Sequence, residues 1–280
     1  MDELYRKGKA LLLKAGNESP AFDAVFLFQK AFSIDRQAML LHAQDQADTV
    51  LEKQYLSWIA ERAEKRPLQY IVGEWPFMDL DLFVGEGVLI PREETELLVY
   101  TAAELLKNEQ EPVVLDLCAG TGAVALGLAS LLPNAQITAV ERYDTAFNYL
   151  LRNIRRTGYQ TVTPAQLDVL NPLSAEQFSS VNCILSNPPY INSGELPSLQ
   201  AEVRKEPPTA LDGGSDGLVF YRAIASVWLP KLKKGGTAAV EIGEGQAEQV
   251  TALFAAAGLT GIQSKKDFNG IERVVTGTRG

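Results

Sequence analysis

From residue 94 onward, short apolar runs alternate with helical stretches, which predicts an α/β fold whose largely parallel sheet is covered by helices on both faces. Two further observations refine this. Up to about Arg66 the periodicity is helical only, so a small N-terminal helical bundle precedes the sheet. At the other end, Ile262–Lys266 and Arg273–Thr276 are joined by Asp267-Phe-Asn-Gly270, a turn-like linker too short for a crossover helix. The sheet should therefore become mixed through an antiparallel C-terminal hairpin at its edge.

In chain order, Ala21, Val25, Phe28 and Phe32 recur at helical spacing, as do Leu51, Tyr55, Trp58 and Ile59. Ser19-Pro20 and Ser33 read as helix starts. Between Pro67 and Pro91 the period changes to alternation over Met78–Val84, followed by Gly85-Glu-Gly87 and Val88–Ile90, which predicts a β-hairpin. The expected division is a helical domain over 1–73, a β-hairpin linker over 74–91 and an α/β domain over 92–280. In the last, strands are expected at Val113–Leu117, Ile137–Glu141, Ala165–Val169, Val181–Asn187 and Thr237–Ile242. Helices are expected at Ala123–Leu132, Thr145–Arg156, Tyr221–Leu232 and Ala247–Ala257.

With 280 residues and 46% hydrophobic content, the chain can bury a full core. Its apolar stretches are too short to span a membrane, and Met1-Asp-Glu-Leu-Tyr-Arg-Lys-Gly8 lacks the layout of a signal peptide, so no membrane partner is expected. Cys118 and Cys183 have no C-x-x-C spacing and His42 is the single histidine, which points to a cytoplasmic chain without metal or disulfide. A net charge of −9 argues against duplex or ribosomal RNA as the main partner.

Asn187-Pro188-Pro189-Tyr190, where the strand Val181–Asn187 stops, is the most informative motif. Two prolines cannot continue a ladder and leave stiff chain with free carbonyls. The Asn187 side-chain oxygen and the Pro188 carbonyl make a two-point acceptor for a planar –NH2 group, and the Tyr190 ring can lie on that plane. The bland alternative is an Asx-Pro turn.

The second motif, Asp116-Leu-Cys-Ala-Gly120-Thr-Gly122, ends the first strand of the sheet with a glycine turn leading into a helix, a cofactor crevice. Glu141, about 20 residues on, can accept hydrogen bonds from ribose hydroxyls. Gly120-x-Gly122-x-x-Ala125 also fits a looser dinucleotide fingerprint. The Asp116 carboxylate argues in part against it, since it repels a pyrophosphate and attracts a sulfonium with an amino group.

These residues, with Asp168 after the third strand, resemble a class I S-adenosylmethionine-dependent methyltransferase of Rossmann-like fold. Arg66-Pro-Leu-Gln-Tyr-Ile-Val-Gly73, Val88-Leu-Ile-Pro-Arg92 with Thr95-Glu96, and Glu206-Pro-Pro-Thr-Ala-Leu-Asp-Gly-Gly-Ser-Asp-Gly217 with Tyr221-Arg222 narrow the likeness. They resemble the HemK/PrmC family of peptide chain release factor N(5)-glutamine methyltransferases. The resemblance implies methylation of the Gly-Gly-Gln glutamine of class I release factors, with S-adenosylmethionine as cofactor and S-adenosylhomocysteine as product. It implies cofactor contacts at Asp116, Cys118, Ala119, Gly120, Thr121 and Gly122, at Glu141 on the ribose, at Asp168 and Val169 beside the adenine, and at Asn187. Asn187, Pro188, Pro189 and Tyr190 would bind the substrate, with Asn187, Pro188 and Tyr190 at the chemistry. The helical domain over 1–73 would recognise the substrate, and the enzyme would act as a monomer.

The chain departs from the family pattern at three positions. Cys118 stands where the family usually has the first glycine of Gly-Thr-Gly-Ser-Gly, Glu141 replaces a commoner Asp, and Arg92 is followed by Glu93 where the family often has Pro. His42, on a predicted helix of the small domain, reads as structural, and Cys118 as a space-filling side chain. Phe22, Phe26, Phe28 and Phe32 read as bundle core, and Lys231-Leu-Lys233-Lys234 as a solvated helix end. Glu195, Glu202 and Arg204 lie in a long segment that can serve as a substrate flap. A ribosomal-protein glutamine or a nucleic-acid exocyclic amine is the alternative acceptor, because the Asn-Pro-Pro-aromatic corner suits any –NH2 group. A non-catalytic scaffold is a second alternative.

Overall fold

The computed structural model describes residues 1–280, which form two compact units. One comprises Met1–Glu74 with Gln200–Lys205, the other Trp75–Leu199 with Glu206–Gly280.

The first unit holds α1 (Asp2–Lys14), α2 (Pro20–Phe32), α3 (Arg36–Leu41), α4 (Thr49–Ala63) and α5 (Leu68–Val72). Pro20 occupies the first turn of α2, where a missing N–H costs nothing. Asp48 caps α4 by accepting from the Val50 and Leu51 N–H groups. Ser33 is the left-handed C-cap of α2 rather than a helix start, and Asp35 caps α3 instead. Leu12, Leu27, Phe28, Tyr55 and Ile59 form the fully buried centre, with the Phe28 and Tyr55 rings edge to face at 5.2 Å. Phe22, expected in that core, is exposed.

One charged side chain crosses this small core. Buried Arg62 donates from Nε to Asp23 Oδ2 at 2.7 Å and from Nη1 to Glu202 Oε1 at 3.1 Å. Burial raises the Asp23 carboxyl above its ordinary value, and Arg62 opposes that shift. Glu202, read as part of a flap, is thus an ion-pair partner inside the helical unit.

The second unit begins in a two-stranded hairpin of β1 (Glu74–Phe77) and β2 (Leu80–Phe83). Its turn falls at Met78-Asp79, with Met78 at φ +51°, and not at Gly85–Gly87 as the alternation suggested. Then follow α6 (Glu96–Leu106), β3 (Val113–Leu117), α7 (Ala123–Leu131), β4 (Gln136–Glu141), α8 (Asp144–Thr157), β5 (Val162–Gln166), β6 (Val181–Ser186), α9 (Val219–Ala223), β7 (Leu232–Glu241), α10 (Ala247–Ala256), β8 (Leu259–Lys266) and β9 (Glu272–Arg279).

The sheet runs β5-β4-β3-β6-β7-β9-β8. All neighbours are parallel through β7, and β9 is antiparallel to both β7 and β8, as the short C-terminal linker required. The central strands feed two cores. Val114, Ile137, Ala139 and Leu185 pack with α6 and α7 residues such as Leu98 and Leu126. Leu115, Leu117, Val140 and Ile184 pack with Tyr221, Trp228 and Phe254. Burial on both faces explains why these strands read as continuous apolar runs.

The expected helix 221–232 is a short α9 continued by a π-helical turn, Ile224–Trp228, and a 3-10 turn at Leu229–Lys231 around Pro230. Proline removes the N–H that would extend the α-helix. The basic run is accordingly the entry to β7, where Lys233 pairs with Glu109 at 3.0 Å. No helix is long and apolar enough to cross a membrane.

Replacing Arg62 by Met leaves Asp23 buried without its cation, and we expect a loss of about 3–5 kcal/mol, read as accelerated amide hydrogen exchange in α2 and α4.

Candidate active site

β3 is the point at which the strand order turns in both directions, with β4 on one side and β6 on the other. Ligand crevices of parallel sheets lie outside the carboxyl ends of such strands. Here a cleft enclosing about 890 Å³, its open mouth included, is lined by residues following β3, β4 and β6.

The loop after β3 is held from below. Asp116 is 1% exposed and its Oδ2 accepts from the Ala125 N–H, in the first turn of α7, at 3.0 Å. Its Oδ1 is buried with no partner. Burial pushes this carboxyl up to about 8, the nearby Glu141 adds to the rise, and the Ala125 bond opposes it. Cys118 adopts a left-handed φ of +62°, and Gly122, at +86°, leaves no room for a Cβ, which would fall 2.6 Å from Leu150 Cδ1. Fully buried Asn153 on α8 ties the loop down, donating to the Thr121 carbonyl at 2.9 Å and exchanging bonds with both backbone groups of Phe83.

Glu141 ends β4 with its carboxylate gripped by backbone. Oε2 accepts from Gly120 N–H at 2.9 Å, and Oε1 from Arg142 and Tyr143 N–H at 2.7 and 2.8 Å. Desolvation raises its carboxyl, and these three donors pull it back. Oε2, with a single protein donor, keeps a lone pair for a ligand hydroxyl. Asp168 accepts from Leu170 N–H at 2.9 Å and pairs with Arg142 at 2.9 Å, while the Trp228 indole donates to the Val169 carbonyl at 2.9 Å.

At the end of β6, Ser186 Oγ donates to the Leu117 carbonyl at 2.7 Å, binding β6 to β3 where both enter the site. Asn187 Nδ2 donates to Thr95 Oγ1 at 3.0 Å, which leaves Oδ1 as the free acceptor end of that amide. Pro188 and Pro189 are buried and Tyr190 half-buried. Gln246 Nε2 donates to the Tyr190 carbonyl at 3.0 Å. Gly217, at φ +72°, lets the chain pass so close that a Cβ would lie 2.4 Å from that same oxygen. Glu206 is 3% exposed, accepts from Ile90 N–H at 3.0 Å and pairs with Arg92. It anchors the segment that brings Thr209 and Ala210 to the cleft wall.

Residues 3–73 match the PrmC N-terminal domain model and residues 94–222 the methyltransferase small domain model. The release factor glutamine methyltransferase of Geobacter sulfurreducens is 38% identical over 97% of this chain and 94% of its own. The chain belongs to the release factor glutamine methyltransferase family. That of Clostridium acetobutylicum is 32% identical over 98% of this chain and 96% of its own. A structure of the T. thermophilus 16S rRNA N2 G1207 methyltransferase, in complex with AdoMet and guanosine, shares the fold at 18% identity and a TM-score of 0.53, covering 74% of this chain and 50% of that one.

In this release factor glutamine methyltransferase family member, Cys118, Ala119, Gly120, Thr121, Glu141, Asp168, Val169, Asn187 and Pro189 line the cleft. Asp116 and Gly122 are not on its wall and support the loop from beneath, and Pro188 and Tyr190 are also off it. Sequence reasoning gave no site role to Arg92, Thr95, Thr209, Ala210 and Phe220, which line it too. They lie in or beside the stretches that carried the family resemblance, which was their only signal. The donor set suits S-adenosylmethionine. Glu141 has capacity for a diol, and Glu141 and Asp168 present acceptors on the wall rather than the donors a polyphosphate needs.

A folded-state carboxyl raised from 3.8 to about 8 makes ligand-free stability fall as pH rises across that interval. Asp116→Asn should remove that slope, so that the variant gains on the parent near pH 8 and not near pH 4 in urea titrations, while its cofactor affinity drops. Cys118→Gly should relieve a left-handed strain of about 1–2 kcal/mol against an unfolded-state cost of about 0.4–1, leaving the melting temperature unchanged or higher.

Proposed function

We infer that this protein methylates the side-chain amide nitrogen of the glutamine in the Gly-Gly-Gln motif of class I peptide chain release factors. The observation that carries the chemistry is Asn187, its Nδ2 committed to Thr95 and its Oδ1 left to accept. When bound, S-adenosylmethionine supplies the electrophilic methyl group. Glu141 would take the ribose, Asp168 and Val169 the adenine side, and the Cys118–Gly122 loop over Asp116 the methionine part.

An amide nitrogen is a poor nucleophile because its lone pair is delocalised into the carbonyl. Two acceptors, Asn187 Oδ1 and the Pro188 carbonyl, hold both N–H bonds, fix the nitrogen's direction and stabilise the positive charge that develops on it. Tyr190 lies against the amide plane. Burial pushes the Tyr190 phenol up to about 12, with Glu241 adding to the rise, so the ring stays neutral at ordinary pH. The proton leaves to water.

In this reading residues 1–73 recognise the protein substrate, 74–91 link, and 92–280 bind cofactor. The enzyme works as a cytoplasmic monomer on free release factor, without direct nucleic-acid contact. The charge of −9 disfavours a nucleic-acid amine as the acceptor.

Incubation of a purified class I release factor with this protein and S-adenosylmethionine should add one methyl group, mapped by mass spectrometry to the Gly-Gly-Gln glutamine. Asn187→Ala should lower the rate by about 10²–10³. Methylation of a ribosomal protein instead, or an unimpaired Asn187→Ala, would overturn the assignment.

A further inference from the structure

The inference rests on that reading and starts from a carboxylate, close to Asn187, that the proposed chemistry does not use. Glu241 ends β7 and is 2% exposed, and its Oε2 is buried with no hydrogen-bond partner. The β6–β7 register pairs Ser186 with Val240, so Glu241 comes level with Asn187 on the next strand. The Thr95 and Asn187 side chains face its carboxyl. Thr95, 4% exposed, accepts from Asn187 Nδ2 and retains its own hydroxyl hydrogen.

A side-chain amide can present either end to its neighbour, and the neighbour's hydrogens decide which. A threonine hydroxyl has one hydrogen and two lone pairs. If that hydrogen goes to a carboxylate, only lone pairs remain for Asn187, which must turn its NH2 towards Thr95 and its oxygen towards the substrate. If the carboxyl is protonated, it donates to Thr95 Oγ1, and the hydroxyl hydrogen is free to swing to Asn187. The amide then favours the reverse orientation and meets the substrate –NH2 donor against donor.

We propose that Glu241 is a positioning residue that acts through Thr95 to set the orientation of the Asn187 amide, with ionised Glu241 holding the productive one. A chain of bonds ending on an anion also polarises Asn187 and makes Oδ1 a stronger acceptor. The setting makes this a pH-sensitive arrangement. Burial pushes the Glu241 carboxyl up to about 7, a rise that Thr95, Arg273 and Asn187 oppose and Glu94 favours. The other groups around it are the Tyr190 phenol and the Tyr221 hydroxyl, which donates to the Glu241 carbonyl at 2.8 Å, and Arg273 is itself paired with Asp267 at 3.0 Å. Tyr190 and Tyr221 are both raised above the ordinary phenol value and stay neutral where Glu241 titrates.

Two readouts test this. In rate assays with S-adenosylmethionine and a class I release factor, kcat of the parent should rise with pH through neutrality. Glu241→Gln should lower kcat by roughly 10²-fold and abolish that rise, with calorimetric cofactor affinity unchanged. Thr95→Val should lower kcat and flatten the pH profile in the same way, and Thr95→Ser should retain most of the rate. Without any substrate, the side-chain ¹⁵N amide resonance of Asn187, identified by its loss in Asn187→Ala, should titrate near neutrality in the parent and not in Glu241→Gln. A Glu241→Gln enzyme with parental kcat and pH profile, or an Asn187 resonance in the parent that does not move, overturns the proposal. Should the parent fail to methylate release factor, the functional reading falls, and the resonance still decides the role of Glu241.

Discussion

Everything that meets in the cleft depends on β3 lying between β4 and β6 in parallel register. Val114 pairs with Cys183 and Leu117 with Ser186, while Leu117 also faces Val140 on the other side. The ends of the three strands are therefore level, and each delivers one functional group just beyond its last apolar residue. The Ser186 hydroxyl on the Leu117 carbonyl closes the point at which a small splay would separate Asn187 from the glycine loop. Parallel pairing needs a crossover each time: α7 carries the chain from β3 to β4 and α8 from β4 to β5, while the segment after β5, with a 3-10 turn at Pro172–Ala175, takes it back to β6 on the other side of β3.

Around that frame the site is built on acidic groups that the protein itself under-satisfies. Asp116 and Glu241 each keep one buried oxygen without a partner, and Glu141 is held by backbone donors alone. Buried carboxylates without cations cost stability. A positive guest would lower the cost of ionising them. The nearby cations are each paired already, Arg92 with Glu206, Arg142 with Asp168 and Arg273 with Asp267.

What could be read beforehand was what is local in sequence. The strand, glycine loop and helix of residues 113–131, the hairpin at the C-terminus and the Asn187–Tyr190 corner all follow from spacing and residue type within short windows. The hairpin turn at Met78 was missed because a non-glycine residue takes the left-handed turn position while nearby glycines advertise another. The helix over 221–232 was read too simply because its apolar period survives a change to π and 3-10 geometry. Thr95, Arg92 and Glu241 were invisible as site residues for a different reason. Each acts on a partner brought to it only by tertiary structure, and an acid at the end of an apolar strand looks the same whether it faces water or a half-buried asparagine.

The short stretch Gln200–Lys205 has a further consequence. It belongs to the helical unit, although the chain on both sides of it belongs to the other. The backbone thus leaves the helical unit, builds most of the sheet and revisits its starting point before finishing. During synthesis, then, the helices at the amino terminus emerge first and yet lack Glu202, the second carboxylate on Arg62, until residue 202 has left the ribosome. Closing a contact 140 residues apart is entropically slow compared with forming the helices themselves. The helical unit, though begun first, is therefore completed only after β3 to β6 have been made.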